Sequence, residues 1–351
     1  MRTDSKTGAT NREMPTPAEG RAALRAAGCS EAECDGAAMV YRSTGLGVYA
    51  VVVRYVTMPF EKVAMIANSS QVSTGGGSQL AQAVRITFRE SAFGPWLTVG
   101  RASIVAWFLQ YSVMGFVFQI CDASISAAFG VDRMPYGEAL MDAPKPAAKI
   151  DAVYSAKYAA KTVLAPVVAG ALESVVSNRA ETQRFWGLEK SAAIERRLAW
   201  GAAGRVCGPA FVANSARNFI MSTTSFVLTP TLYQRYFPAD RKDARSLFWF
   251  GLGVNIFAGN VVAITQQSLW GRVLDYMAVG GGRDACYRTI LADGYAKEGV
   301  ASLFTLPKWF SRVMMNAPIQ GTVPWFYNEI LPLGEGAYLA AAARGAAYRA
   351  A

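Results

Sequence analysis

The chain has 351 residues, 52% of them hydrophobic and 17% charged, with 35 Lys and Arg against 25 Asp and Glu and a formal net charge of +10. It contains no histidine, which removes imidazole from every metal-ligand, catalytic-triad and general-base scheme. A mean hydropathy of +0.18 and a charged share below the roughly 25% of an average soluble domain point to helices with one face to lipid and one to a polar interior. The basic balance suits anionic lipid or anionic solute rather than nucleic acid, because no basic run is interleaved with aromatics.

In chain order, residues 1–44 read as a polar extension, a surface segment or a disordered one. Asp4, Glu13, Glu19, Glu31, Glu33 and Asp35 occur there without an apolar core, which argues against a secretory signal and a simple transit peptide. Six apolar stretches follow, Gly45–Ala67, Pro95–Ile120, Tyr158–Ser177, Pro209–Tyr233, Leu247–Trp270 and Leu303–Ile330, each approaching the roughly 20 residues a bilayer-crossing helix needs. Arg54, Gln110, Asn214, Arg217, Asn255, Gln266, Gln267, Asn316 and Gln320 lie inside them and are expected to face a common interior. After the odd stretches come short amphipathic patterns at Gln79–Glu90, Glu189–Arg197 and Asp284–Lys297. After the second and fourth come loop-like segments at Asp122–Lys157 and Pro238–Arg245. Residues 331–351 read as a C-terminal tail. The five cysteines form no CxxC pair, so zinc and thioredoxin-like sites are not expected and free thiols are the plain reading.

The alternation of long helix, short helix, long helix and loop occurs three times, over residues 45–122, 157–237 and 238–330, with an inter-repeat loop at 123–156. A shift of 208 residues lays Pro59 on Gln267, Glu90 on Glu298 and Gln110 on Pro318. The middle repeat fits at a shift of 120, with Pro59 on Arg179.

The first stretch ends in Pro59-Phe60-Glu61-Lys62-Val63-Ala64. This resembles the signature of the mitochondrial carrier family, a proline followed by an acid two residues on and a base five residues on. The proline kinks the helix, and in that family acid and base of successive odd helices form a ring of bridges closing the matrix side. The resemblance places Glu61 and Ala64, Glu181 and Arg184, and Leu269 and Arg272 at those positions. It implies bridges Glu61–Arg184 and Glu181–Arg272 and a third place where Leu269 and Ala64 have lost both charges together, a change that can be neutral where a half-lost pair is costly. Glu90-Ser91-Ala92-Phe93-Gly94 and Glu298-Gly299-Val300-Ala301 resemble the family's acid-glycine elements before even helices. Helix N-termini at Gly100 and Gly208 are then expected to hold lipid phosphate, as cardiolipin, although the family's base is replaced by Val99 and Thr305. Arg312 to Pro318 and Tyr327-Asn328-Glu329 resemble the even-helix pattern, with Asn328, like Gln234, standing where the family has an acid.

The resemblance, over about residues 45–330, implies an all-α membrane protein of six transmembrane helices in three pseudo-repeats, located in the mitochondrial inner membrane. Pro59 with Glu61 is most like the first repeat of ADP/ATP carriers, but Gly271-Arg272-Val273-Leu274-Asp275 replaces their arginine-methionine signature. Two functions follow. One is an accessory subunit of a respiratory-chain or ATP synthase assembly, cytochrome c oxidase for example, with weak or no transport. The other is a carrier exchanging an anionic metabolite such as an adenine nucleotide, with Arg54, Trp107, Asn214, Arg217 and Met315 around its cavity. No enzyme, metal or cofactor is expected, apart from bound cardiolipin.

Overall fold

The computed structural model describes residues 14–67, 78–89, 92–97, 101–136, 138–141, 152–186, 188–198, 201, 204, 207–282 and 286–350. Among these residues the structure is helical throughout, without a strand. Four helices are long and apolar enough to cross a bilayer: Glu31–Val56, Ile104–Phe129, Ala152–Gln183 and Ala244–Ala278. The burial pattern is that of a membrane protein. Val48, Val52, Val105, Val163 and Phe257 are exposed on the outside, whereas Arg54, Lys161, Glu173, Asn214 and Arg217 are buried inside.

The first helix of the chain, α1 (Pro17–Ala26), and the second, α2 (Glu31–Val56), each start at a capping box, Thr16 with Glu19 and Ser30 with Glu33. The expected polar extension is therefore helical from Pro17, and the first long helix begins at Glu31 rather than Gly45. Thr57 interrupts it, and α3 (Met58–Ala67) follows with Pro59 in its first turn, where a missing N–H costs nothing. The short α4 (Gln79–Thr87) leads to α5 (Arg101–Phe129), which runs past the expected end at Ile120 and stops at Gly130 with φ +65°. The long α6 (Ala152–Trp186) accommodates Pro166 in mid-helix, and α7 (Leu188–Leu198) is the second short helix.

The remaining long runs are segmented. α8 (Phe211–Thr223) passes through a π-helical turn, Thr224–Leu228, into α9 (Thr229–Tyr236). α10 (Ala244–Val254) passes through Asn255–Gly259 into α11 (Asn260–Ala278). After the short α12 (Tyr287–Glu298), α13 (Leu306–Asn316) continues through π turns at Ala317–Gly321 and Phe326–Ile330 into α14 (Leu331–Ala350). The expected C-terminal tail is thus the end of the sixth run, and α1 packs along it.

Successive runs touch in a closed cycle: α2 with α5, α5 with α6, α6 with α8, α8 with α11, α11 with α13, then α13 with α3 and α14 with α2. The π turns Thr224–Leu228, Asn255–Gly259 and Ala317–Gly321, one from each of the fourth, fifth and sixth runs, meet one another. Small residues let them do so, because a Cβ on Gly251 would strike the Gly321 carbonyl, and one on Gly259 would lie 3.0 Å from Thr224 Cγ2. The extra residue in each turn is tied by side chains. Thr229 Oγ1 donates to the Thr224 carbonyl (2.8 Å), Asn260 Nδ2 to the Asn255 carbonyl (3.0 Å), and Ser225 Oγ to the Gln320 carbonyl (2.8 Å).

Candidate functional site

Inside the cycle the side chains sort into layers. Towards the α1 end lies a cavity of about 920 Å³ whose lining includes Arg42, Arg133, Tyr154, Tyr158, Gln234 and Arg235. Its floor is an apolar and aromatic layer to which five of the six runs contribute: Leu46 and Ala50, Phe118, Ala165 and Ala169, Phe226, and Tyr327. The segment after Gly130 turns back into this layer. Met134 is buried within it, and Tyr136 donates to the Phe226 carbonyl at 2.9 Å.

A buried ion pair holds that segment. Lys161 Nζ lies 2.9 Å from Asp122 Oδ1 and donates to the Asp132 carbonyl at 2.5 Å, and Asp122 accepts the Met134 N–H at 3.1 Å. Lys161 is 0% exposed. It also stands 4.6 Å from the centre of the Tyr158 ring. Asp122, Met134 and Tyr136 fall in the stretch whose composition reads as a plain loop. The available signals were an isolated acid after one apolar stretch and a lysine inside the next.

Beyond the aromatic layer lies a polar one. Arg54, 5% exposed, has its guanidinium 5.6 Å from the Trp107 ring centre and 5.4 Å from that of Tyr111. Its Nε has no hydrogen-bond partner. Gln110 Nε2 donates to Glu173 at 2.6 Å. Arg217 is the hub of the layer. Its Nη2 lies 2.9 Å from Glu181 Oε2, its Nη1 donates to Gln267 Oε1 at 2.7 Å, and its Nε donates to Asn218 Oδ1 at 3.0 Å. Arg312 lies buried nearby with its Nε 2.7 Å from the Asn316 side-chain oxygen, once that amide is oriented to accept, and its Nη1 3.7 Å from Met315 Sδ. Neither polar atom of the Asn214 side chain has a partner, although the residue is fully buried.

This geometry corrects one expected bridge. Glu181 pairs with Arg217, and Arg272 pairs instead with Glu298, while Arg272 Nε donates to the Ser302 carbonyl at 3.1 Å. The physical reason is reach. The guanidinium fork of Arg217 presents several donors at once and joins the acid of the third run to Gln267 of the fifth. Arg272 turns the other way and fastens α11 to the end of α12. Glu61 is buried, and Leu269 packs with Trp270 and Val273 in a second apolar core. Arg184 and Ala64 sit in α6 and α3, but their side chains lie outside the described residues, so the expected Glu61–Arg184 bridge falls there too.

Gly208, with φ +74°, belongs to the turn that starts α8. Asn178 Nδ2 caps that turn by donating to the carbonyls of Cys207 (2.8 Å) and Pro209 (2.7 Å), and a Cβ on Gly208 would lie 2.9 Å from it. Gly100 lies outside the described residues. No family model, curated protein or solved structure matches this chain.

Proposed function

We propose that this chain is a carrier-fold protein of the mitochondrial inner membrane that serves as an accessory subunit of a respiratory-chain or ATP synthase assembly and transports weakly or not at all. The cyclic order of six helical runs, with a short helix after each odd run, supports the carrier architecture. The observation that carries the accessory role is the filled interior. The segment after Gly130 is pinned by Asp122 and Lys161 into the aromatic layer, beneath the cavity and above Arg54 and Arg217. A cycling transporter needs two closed states of similar energy, and an interior sealed by a buried ion pair favours one state. The paired α1 and α14 add a surface on which neighbouring subunits can rest. Membrane lipid, including cardiolipin at the α8 turn around Gly208, completes the expected surroundings.

Gentle detergent extraction, a native gel and mass spectrometry of the band test this reading. Comigration with a respiratory complex, such as cytochrome c oxidase, or with ATP synthase at fixed stoichiometry is the expected result. A lone species of monomer mass that exchanges nucleotides in liposomes would overturn it. The second reading, exchange of an anionic metabolite, is favoured by one feature: Arg54, Arg217 and Arg312 lie in one buried layer beside the unpartnered Asn214.

A further inference from the structure

The connection between α1 and α2 brings two cysteines together by overlapping two helix-end devices. At the end of α1, Gly28 adopts φ +86°, its N–H donates to the Arg25 carbonyl at 2.9 Å, and the Cys29 N–H donates to the Leu24 carbonyl at 3.1 Å. That is the paired bonding of a Schellman turn, in which the residue after the glycine packs back onto the last helical turn. One residue later, Ser30 caps α2 with the reciprocal bonds of a capping box, Glu33 N to Ser30 Oγ (3.3 Å) and Ser30 N to Glu33 Oε2 (2.7 Å). In such a start, the residue before the cap and the fourth residue of the helix pack against each other as a staple. Here those two positions are Cys29 and Cys34. Both belong to the apolar cluster formed with Leu24, Ala38, Leu339 and Ala343, Cys34 fully buried and Cys29 half-buried.

We infer that Cys29 and Cys34 form an oxidisable staple, a disulfide site that closes the α1–α2 turn where it packs beside the end of α14. Accessibility sets the order of the chemistry. The half-buried Cys29, as thiolate, attacks the disulfide of an oxidant such as glutathione disulfide or a thiol-oxidase protein. The oxidant's sulfur–sulfur bond breaks and one thiol leaves. Cys34, losing its proton, then attacks the Cys29 sulfur and expels the second thiol. The two cysteine protons end on the two departing thiols, and the two electrons reside in that reduced oxidant. The bond would persist where the α1 end faces an oxidising compartment and open in a reducing one.

Cleavage after Arg25 and Arg42 releases both thiols in one tryptic peptide, residues 26–42, which makes the test direct. The full-length protein, purified in mild detergent, is equilibrated in glutathione buffers of increasing oxidised fraction, acid-quenched, alkylated and digested without reduction. The expected result is a single-step change of this peptide from doubly alkylated to a cyclic form lighter than the dithiol by two hydrogens, with no glutathione adduct accumulating. A peptide that stays doubly alkylated in fully oxidising buffer, or that collects glutathione on either sulfur, would overturn the inference. The outcome is independent of whether the chain belongs to a respiratory assembly.

Discussion

Replacing Lys161 by Met leaves Asp122 as a buried carboxylate whose remaining support is the Met134 N–H at 3.1 Å. Removing one partner of a buried ion pair costs about 3–5 kcal/mol, far more than the packing difference between the two unbranched side chains. At about 2–4 °C per kcal/mol for domains somewhat smaller than this one, the unfolding midpoint should fall by on the order of 10 °C. The double variant Lys161→Met/Asp122→Asn replaces the pair with neutral groups, and its amide oxygen can still accept the Met134 N–H. It should therefore recover most of the loss, giving a coupling of roughly 2–3 kcal/mol. Tryptophan fluorescence during heating of protein in nanodiscs measures both. Trypsin cleavage after Arg133, which lies in the pinned segment, should accelerate in Lys161→Met and return towards the wild-type rate in the double variant. If the single variant melts within about 1 kcal/mol of wild type, or if the two changes are additive, the segment is not held by this pair and the sealed interior loses its main support.

Further outcomes follow from local geometry. Gly251→Ala drives a Cβ into the Gly321 carbonyl and should lower stability by about 1–3 kcal/mol or more. Gly253→Ala, with open space around it, should leave the melting curve unchanged. Gly336→Leu collides with the Pro15 and Thr16 carbonyls, so it should expose Arg21 and Arg25 of α1 to trypsin while the helical cycle melts as before. The Ser246 N–H and hydroxyl hold the Asp243 carboxyl below its ordinary range, the backbone bond contributing most. A depressed carboxylate pKa stabilises the fold above the unfolded value and loses that contribution as pH falls through the folded one. Hydrogen exchange over residues 244–250, corrected for its intrinsic rate, should therefore rise below about pH 4, and Asp243→Asn, which caps without titrating, should abolish the change.

Much of this architecture is legible in the sequence because hydrophobic runs and short amphipathic helices carry their own periodicity. The expected short helices at 79–90, 189–197 and 284–297 correspond to α4, α7 and α12. The extension before Gly45 was harder to read, since it owes its helices to capping and to contact with α14 rather than to an apolar stripe. Its signals, Thr16 with Glu19 and Ser30 with Glu33, are written in the sequence all the same. Side-chain pairing was less legible. The carrier resemblance implies Glu181 with Arg272, but the nearer cation belongs to an even helix, and only the packing of α6 against α8 brings Arg217 within reach. The segment after Gly130 has no periodicity to betray that it folds inward, and the bond that holds it joins residues 39 positions apart, Asp122 and Lys161.

The arrangement of the two sides bears on whether such an interior can cycle. Opening towards the cavity means withdrawing Met134 and Tyr136 from the aromatic layer and separating Lys161 from Asp122 and the Asp132 carbonyl. Opening towards the short helices means parting Arg217 from Glu181 and Gln267. In the second movement a guanidinium that leaves one acceptor can find others in the same polar layer, and the amides there exchange partners at little cost. The first offers less exchange, because an ammonium 0% exposed is enclosed between the Asp122 carboxylate and the Asp132 carbonyl, and the tyrosine leaves a backbone carbonyl unpaired. Both movements break a buried ion pair, and on the proposed reading the cavity side is the costlier to open because it also gives up the Tyr136 bond to the Phe226 carbonyl and the packing of Met134. Transport would require something that binds in the cavity and compensates the loss at Lys161, and the same logic makes Lys161→Met/Asp122→Asn the variant in which any exchange activity should first emerge.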